Sequence, residues 1–196
     1  MRTLGRWILA GSLLAVGTAR DAAAQHPQNR HGFWFGLGVG LGSLSWTCDA
    51  CPNLAAESGP SGYLKVGLTM TPQVLFGLEL NGWRGDVAGT MATNVNGSFV
   101  SYVYLKPTGG FFLKGGMGVS LYHEDGPERF QSDTLSTSGF GLTAGLGYDW
   151  RVGSNISLTP VGNFMFGSMG HIRHSGHFYP GVQQSTLQLA LGVTVH

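Results

Sequence analysis

The chain has 196 residues, 42% of them apolar and only 11% charged, with a formal net charge of +1 and 33 glycines. The near-neutral balance excludes the basic face that nucleic acid requires. The apolar content excludes a disordered chain, and glycine at more than twice its usual share without a G-x-y period excludes collagen.

Residues 1–24 read as a secretory signal: Arg2 and Arg6, the apolar run Trp7–Val16, then Ala22-Ala23-Ala24. The run is about 10 residues long, against about 20 for a spanning helix. Cleavage after Ala24 leaves residues 25–196 as one domain, with 8 basic and 9 acidic side chains.

From there the sequence alternates with a period of two, in eight segments. In Gly32–Ser45, Phe33, Phe35, Leu37, Val39 and Leu41 share one face, while Trp34, Gly36, Gly38, Gly40 and Gly42 share the other. Gly62–Met70 has Leu64, Val66 and Leu68 on its apolar face, and Val74–Arg84 has Phe76, Leu78 and Leu80. Ser98–Lys106 is ambiguous, because Val100, Tyr102 and Tyr104 compete with Phe99, Val103 and Leu105. Phe111–Tyr122, Ser138–Trp150, Ile156–Gly167 and Thr186–His196 complete the set.

The connections Thr71–Gln73, Lys106–Gly110 and Arg151–Asn155 are short. Trp46–Pro60, Gly85–Val95, His123–Thr137 and Ser168–Val182 read as long polar loops. Short turns at one end and long loops at the other predict an all-β fold, an eight-stranded antiparallel up-and-down transmembrane β-barrel. Apolar residues then face lipid, and the glycines face a narrow interior that needs room for Trp34, Tyr63, Tyr122 or a ligand. Phe33, Trp46, Trp83, Tyr148 and Trp150 fall near segment ends, where aromatic girdles are expected.

The pieces "GYLKVGLTMTPQVLFGLEL" and "GFFLKGGMGVSLY" and the closing "TLQLALGVTVH" resemble the eight-stranded outer-membrane barrels of Gram-negative bacteria, the group around the OmpA barrel, OmpX and OmpW. The resemblance spans roughly residues 30–196. It implies a monomer exported through the Sec pathway, inserted by the barrel-assembly machinery and seated among outer-membrane lipid. The chain departs from the group at His196, where such proteins often carry phenylalanine.

Four charged residues fall on the interior face: Lys65, Glu79, Lys114 and Asp149. Lys65 and Glu79 are equidistant from Pro72, which predicts that they face each other. Symmetric counting across the long loop between the fifth and sixth segments pairs Lys114 with Asp149. Two interior ion pairs plugging the barrel are therefore expected.

His171, His174 and His177 are candidate metal ligands, weighed against a plain polar loop. Cys48 and Cys51 form a C-x-x-C that, in an oxidising compartment, reads as a small disulfide pinning its loop, with metal or redox use as the alternative. The His-x-Ser pair of the small lipid A deacylases is absent from this sequence.

The expectation is a non-enzymatic outer-membrane protein with a structural or surface-interaction role, no cofactor, no nucleic acid, and loops open to an unidentified extracellular ligand. The alternatives are a carrier of small apolar molecules through the glycine-lined lumen, and a secreted, soluble, lipocalin-like barrel. The soluble barrel would reverse the two faces.

Overall fold

A computed structural model describes residues 30–47, 56–87, 89–124, 135–174 and 177–196. The signal segment and the cysteine pair Cys48 and Cys51 lie outside the described residues. Nine extended segments follow one another: β1 (Phe33–Thr47), β2 (Glu57–Thr71), β3 (Val74–Val87), β4 (Thr90–Tyr104), β5 (Phe111–Glu124), β6 (Leu135–Tyr148), β7 (Trp150–Arg151), β8 (Ile156–His174) and β9 (His177–Val195). Beyond Asp149, β7 carries on from β6 along β8, so the nine segments make eight staves. Every neighbour is antiparallel, and β1 pairs β9 while β6 pairs β8, which closes the sheet into a barrel without a free lateral edge at mid-height.

The alternation resolves into an apolar outside and a polar inside. Leu189 is 68% exposed while its neighbour Gln188 is wholly buried. Leu37, Leu64, Leu78, Phe99, Met117 and Leu142 are likewise exposed. The ambiguous segment resolves the same way, with Val100, Tyr102 and Tyr104 inside and Phe99, Val103 and Leu105 outside. An apolar exterior on this scale is costly in water and favourable in hydrocarbon. The soluble, lipocalin-like alternative required Leu187 to Val195 inside; Leu187, Leu189, Leu191 and Val193 are all exposed.

Two of the expected long loops are strands. β3 reaches Val87 and β4 begins at Thr90, so most of Gly85–Val95 is sheet. β8 runs to His174 and β9 begins at His177, so most of Ser168–Val182 is sheet too. These stretches read as loops because glycine, threonine, serine and asparagine are interspersed along them and weaken the apolar alternation. In β4, Ala92, Asn94 and Asn96 point in, and Met91, Thr93 and Val95 point away.

The interior is packed in layers. Trp34, Tyr63, Tyr102, Tyr104, Phe112 and Val161 belong to the cluster nearer the short turns. Leu44, Trp83, Ala92, Tyr122, Met169 and Val182 form a second cluster nearer the other end. Buried Asn81, Asn96, Ser98, Asn163 and Gln188 fill the space between.

Candidate functional site

The functional groups of this chain lie along the barrel axis. At the short-turn end Arg30, wholly buried, enters the mouth just before β1. Its Nη1 donates to the carbonyls of Pro72 (3.2 Å) and Pro107 (3.1 Å), and Nη2 donates to the Gly109 carbonyl. The guanidinium stacks 3.4 Å from the centre of the Tyr104 ring. One residue thus ties the β2–β3 turn to the β4–β5 turn. Charge-assisted hydrogen bonds to a buried cation are worth about 1.5–3 kcal/mol each. In Arg30→Ala, faster hydrogen exchange is expected at the Gly109 amide, which donates to Lys106 at the same turn. Unchanged exchange would mean that the turn holds itself.

Asp149 sits one layer deeper. Tyr104 donates to its Oδ2 (2.6 Å), Thr159 to its Oδ1 (2.7 Å), and His196 Nε2 lies 3.0 Å from Oδ2. Glu79 occupies the centre of the barrel. Lys114 and Tyr102 donate to its two oxygens, and Asn81 donates to Oε1 at 2.7 Å. Asn163 Nδ2 donates to Asn81 Oδ1 (3.2 Å) and to Gln188 Oε1 (2.6 Å), and Gln188 Nε2 donates to the Gly62 carbonyl (3.2 Å). Both carboxylates are filled on both oxygens, as structural carboxylates are.

All four expected interior charges are buried, but their pairing differs from the expectation. Lys65 and Glu79 do face each other in the β2–β3 register. The ion pair nevertheless joins Glu79 to Lys114. Lys114 faces Gly145 rather than Asp149, whose backbone N–H donates to Gly110. Symmetric counting failed because the β5–β6 connection is centred two residues earlier than assumed, which moves the facing position by four. A short turn fixes register; a long one does not.

The glycine series makes room for side chains. A Cβ on Gly36 would stand 2.6 Å from Lys65 Cε, on Gly38 2.5 Å from the Tyr63 ring, and on Gly42 2.7 Å from Trp83 Cδ1. Trp34 in turn lies over Gly67 and Gly77. Tyr63 and Trp34 are therefore accommodated as expected, by different glycines. The space over Gly36, Gly38 and Gly42 is already taken, which removes the ground for an apolar channel at that level.

The girdle expectation holds at one end: Phe33, Tyr148 and Trp150 are exposed. Trp83 instead points inward, buried, and donates from Nε1 to the Gly42 carbonyl (3.1 Å). Trp46 packs on the interior cluster, edge-on to Tyr122 at 4.3 Å. Their parity along β3 and β1 decided this, not their place near a segment end. The backbone register sets His174 opposite His177, with His171 beside a register shift. No group of three or more His, Cys, Asp or Glu suited to a metal is found among the described residues.

Sequence reading missed Arg30, Tyr102 and the Asn81–Asn163–Gln188 relay. A signal for Tyr102 existed, since it faces Lys114 across the β4–β5 turn. Counting back from that charge fixes the inward face of β4. For Arg30 the signal was parity: it shares the even-numbered phase of Trp34 and Gly36.

No family model matches the sequence, and no curated protein matches it. Among solved structures, the barrel is similar to Neisserial surface protein A, with a TM-score of 0.57, 13% identity, and coverage of 85% of this chain and 98% of that one. It is also similar to Ail, the attachment invasion locus protein of Yersinia pestis, with a TM-score of 0.55, 12% identity, and coverage of 84% and 99%. With those two outer-membrane proteins the chain shares its fold, the closed eight-stranded antiparallel β-barrel.

Proposed function

We propose that the protein is an integral outer-membrane barrel with a non-enzymatic, structural or surface-interaction role. The observation that carries this reading is the inversion of polarity, a wholly buried Gln188 beside an exposed Leu189, repeated around the barrel. Only a hydrocarbon surrounding makes that arrangement favourable. On this reading the short turns face the periplasm, and outer-membrane lipid covers the belt. Export uses the Sec pathway and insertion the barrel-assembly machinery, and the barrel works as a monomer.

The same reading places contacts with other molecules at the far end, where β8 and β9 continue as a pair to His174 and His177. The interior supports a plugged barrel rather than a carrier, with Glu79, Lys114 and Tyr102 bonded across its middle.

A membrane fraction run on a detergent gel with and without boiling tests this directly. A folded barrel is expected to resist detergent in the cold and to change mobility on boiling. Recovery in the soluble fraction, with no change of mobility, would overturn the reading.

A further inference from the structure

Lys65 is buried at 3% exposure, and its ammonium has no hydrogen-bond or ion-pair partner among the described residues. What surrounds it is aromatic: Nζ lies 5.3 Å from the centre of the Tyr102 ring, 5.4 Å from Phe112, 5.6 Å from Tyr63 and 5.8 Å from Trp34. Ring faces attract a cation, but they accept none of its three N–H bonds in the way an oxygen or an anion does.

Two further donors in the same group are also unmatched. Trp34 Nε1 and Tyr63 Oη are buried without a hydrogen-bond partner. Buried donors without acceptors are rare in folded proteins, and each calls for a physical explanation.

The charge balance points the same way. Along this part of the axis the buried cations are Arg30, Lys65 and Lys114, and the buried carboxylates are Glu79 and Asp149. Neither carboxylate has room for Lys65, because Glu79 is filled by Lys114, Tyr102 and Asn81, and Asp149 by Tyr104, Thr159 and His196. Arg30 is matched to carbonyls through its two terminal nitrogens, which leaves its charge. The interior holds more positive charge than the side chains on the page neutralise.

We infer that Lys65, Trp34 Nε1–H and Tyr63 Oη–H form an internal site for one small monovalent anion of the size of chloride. One buried ammonium without an anion bonded to it calls for one negative charge. A divalent anion would be repelled by Glu79, which faces Lys65 in the register. Gly36 and Gly38 leave that wall of the barrel to the Lys65 and Tyr63 side chains, which lie directly over them.

The test compares thermal unfolding of the refolded barrel in detergent micelles, in sodium chloride and in sodium gluconate at equal ionic strength. Gluconate is too large for an enclosed site. A ligand that binds only the folded state raises its midpoint with concentration. The expected result is a midpoint several degrees higher in chloride, rising with chloride concentration. That dependence should vanish in Lys65→Met and persist in Lys106→Met, which alters an exposed turn residue.

Equal midpoints in the two salts, or a chloride dependence that survives in Lys65→Met, would overturn the site. If Lys65→Met does not fold, the wild-type protein crystallised in sodium bromide decides the matter. An anomalous peak beside Lys65 Nζ supports the site, and its absence rejects it.

Discussion

Glu79→Gln is expected to destabilise the folded barrel by about 3–5 kcal/mol, the usual cost of removing one partner from a buried ion pair. Urea unfolding of the refolded protein in micelles would read it. The carboxylate receives Lys114, Tyr102 and Asn81 together. A glutamine keeps one acceptor oxygen but turns a donor amide toward groups that are themselves donors, and it leaves Lys114 as a second unmatched cation beside Lys65.

The partner change should be milder. In Lys114→Met the carboxylate keeps Tyr102 and Asn81, and Lys65 already faces it across β2 and β3. The double variant Glu79→Gln with Lys114→Met is expected to recover part of the loss, so that the two effects are less than additive. Equal costs for the two single changes, adding fully in the double variant, would mean that the two residues act independently.

The second large effect is steric. Gly40 faces Ser61 on β2 and Ala190 on β9, at the seam where the first and last strands close the barrel. A Cβ there would collide with the Leu189 carbonyl oxygen and lie 2.6 Å from the Ala190 Cα, both of them backbone. Side chains can turn aside; this seam can yield only by shifting a strand. Gly40→Ala is expected to cost about 1–3 kcal/mol.

Gly82 supplies the control, since a Cβ there meets nothing within 4 Å. Gly82→Ala should be neutral to stabilising, by up to about 0.5–1 kcal/mol, because alanine loses less conformational freedom on folding. Midpoints of the boiling-induced mobility change would compare the two, with opposite signs expected for the same added methyl group. Shifts of the same sign would show that local space does not govern these glycines.

The barrel was legible because alternation with period two is local: Leu187, Leu189 and Leu191 announce their common face without reference to anything else. The Lys65 and Glu79 register was legible for the same reason, through the tight turn at Pro72. What stayed hidden depends on distance around the barrel. Glu79 on β3 meets Lys114 on β5 only because β4 holds the two strands at a fixed spacing, and no count along the chain yields that contact. The outer parts of β4 and β8 were hidden for another reason. There the apolar residues are sparse, with Met91 and Val95 outside on β4 and Met169 inside on β8, and a strand with so few apolar positions looks like a loop.

Arg30 also sets an order of events. It precedes β1, so it is made before any strand, yet its partners Pro72, Pro107 and Gly109 lie 42, 77 and 79 residues further along. The oldest polar group of the described chain is thus satisfied only after half of the barrel exists. A barrel lacking the β4–β5 turn would hold Arg30 through the Pro72 carbonyl alone of its three acceptors. A finished barrel and an arrested one would differ in how readily a protease cuts the backbone at Arg30.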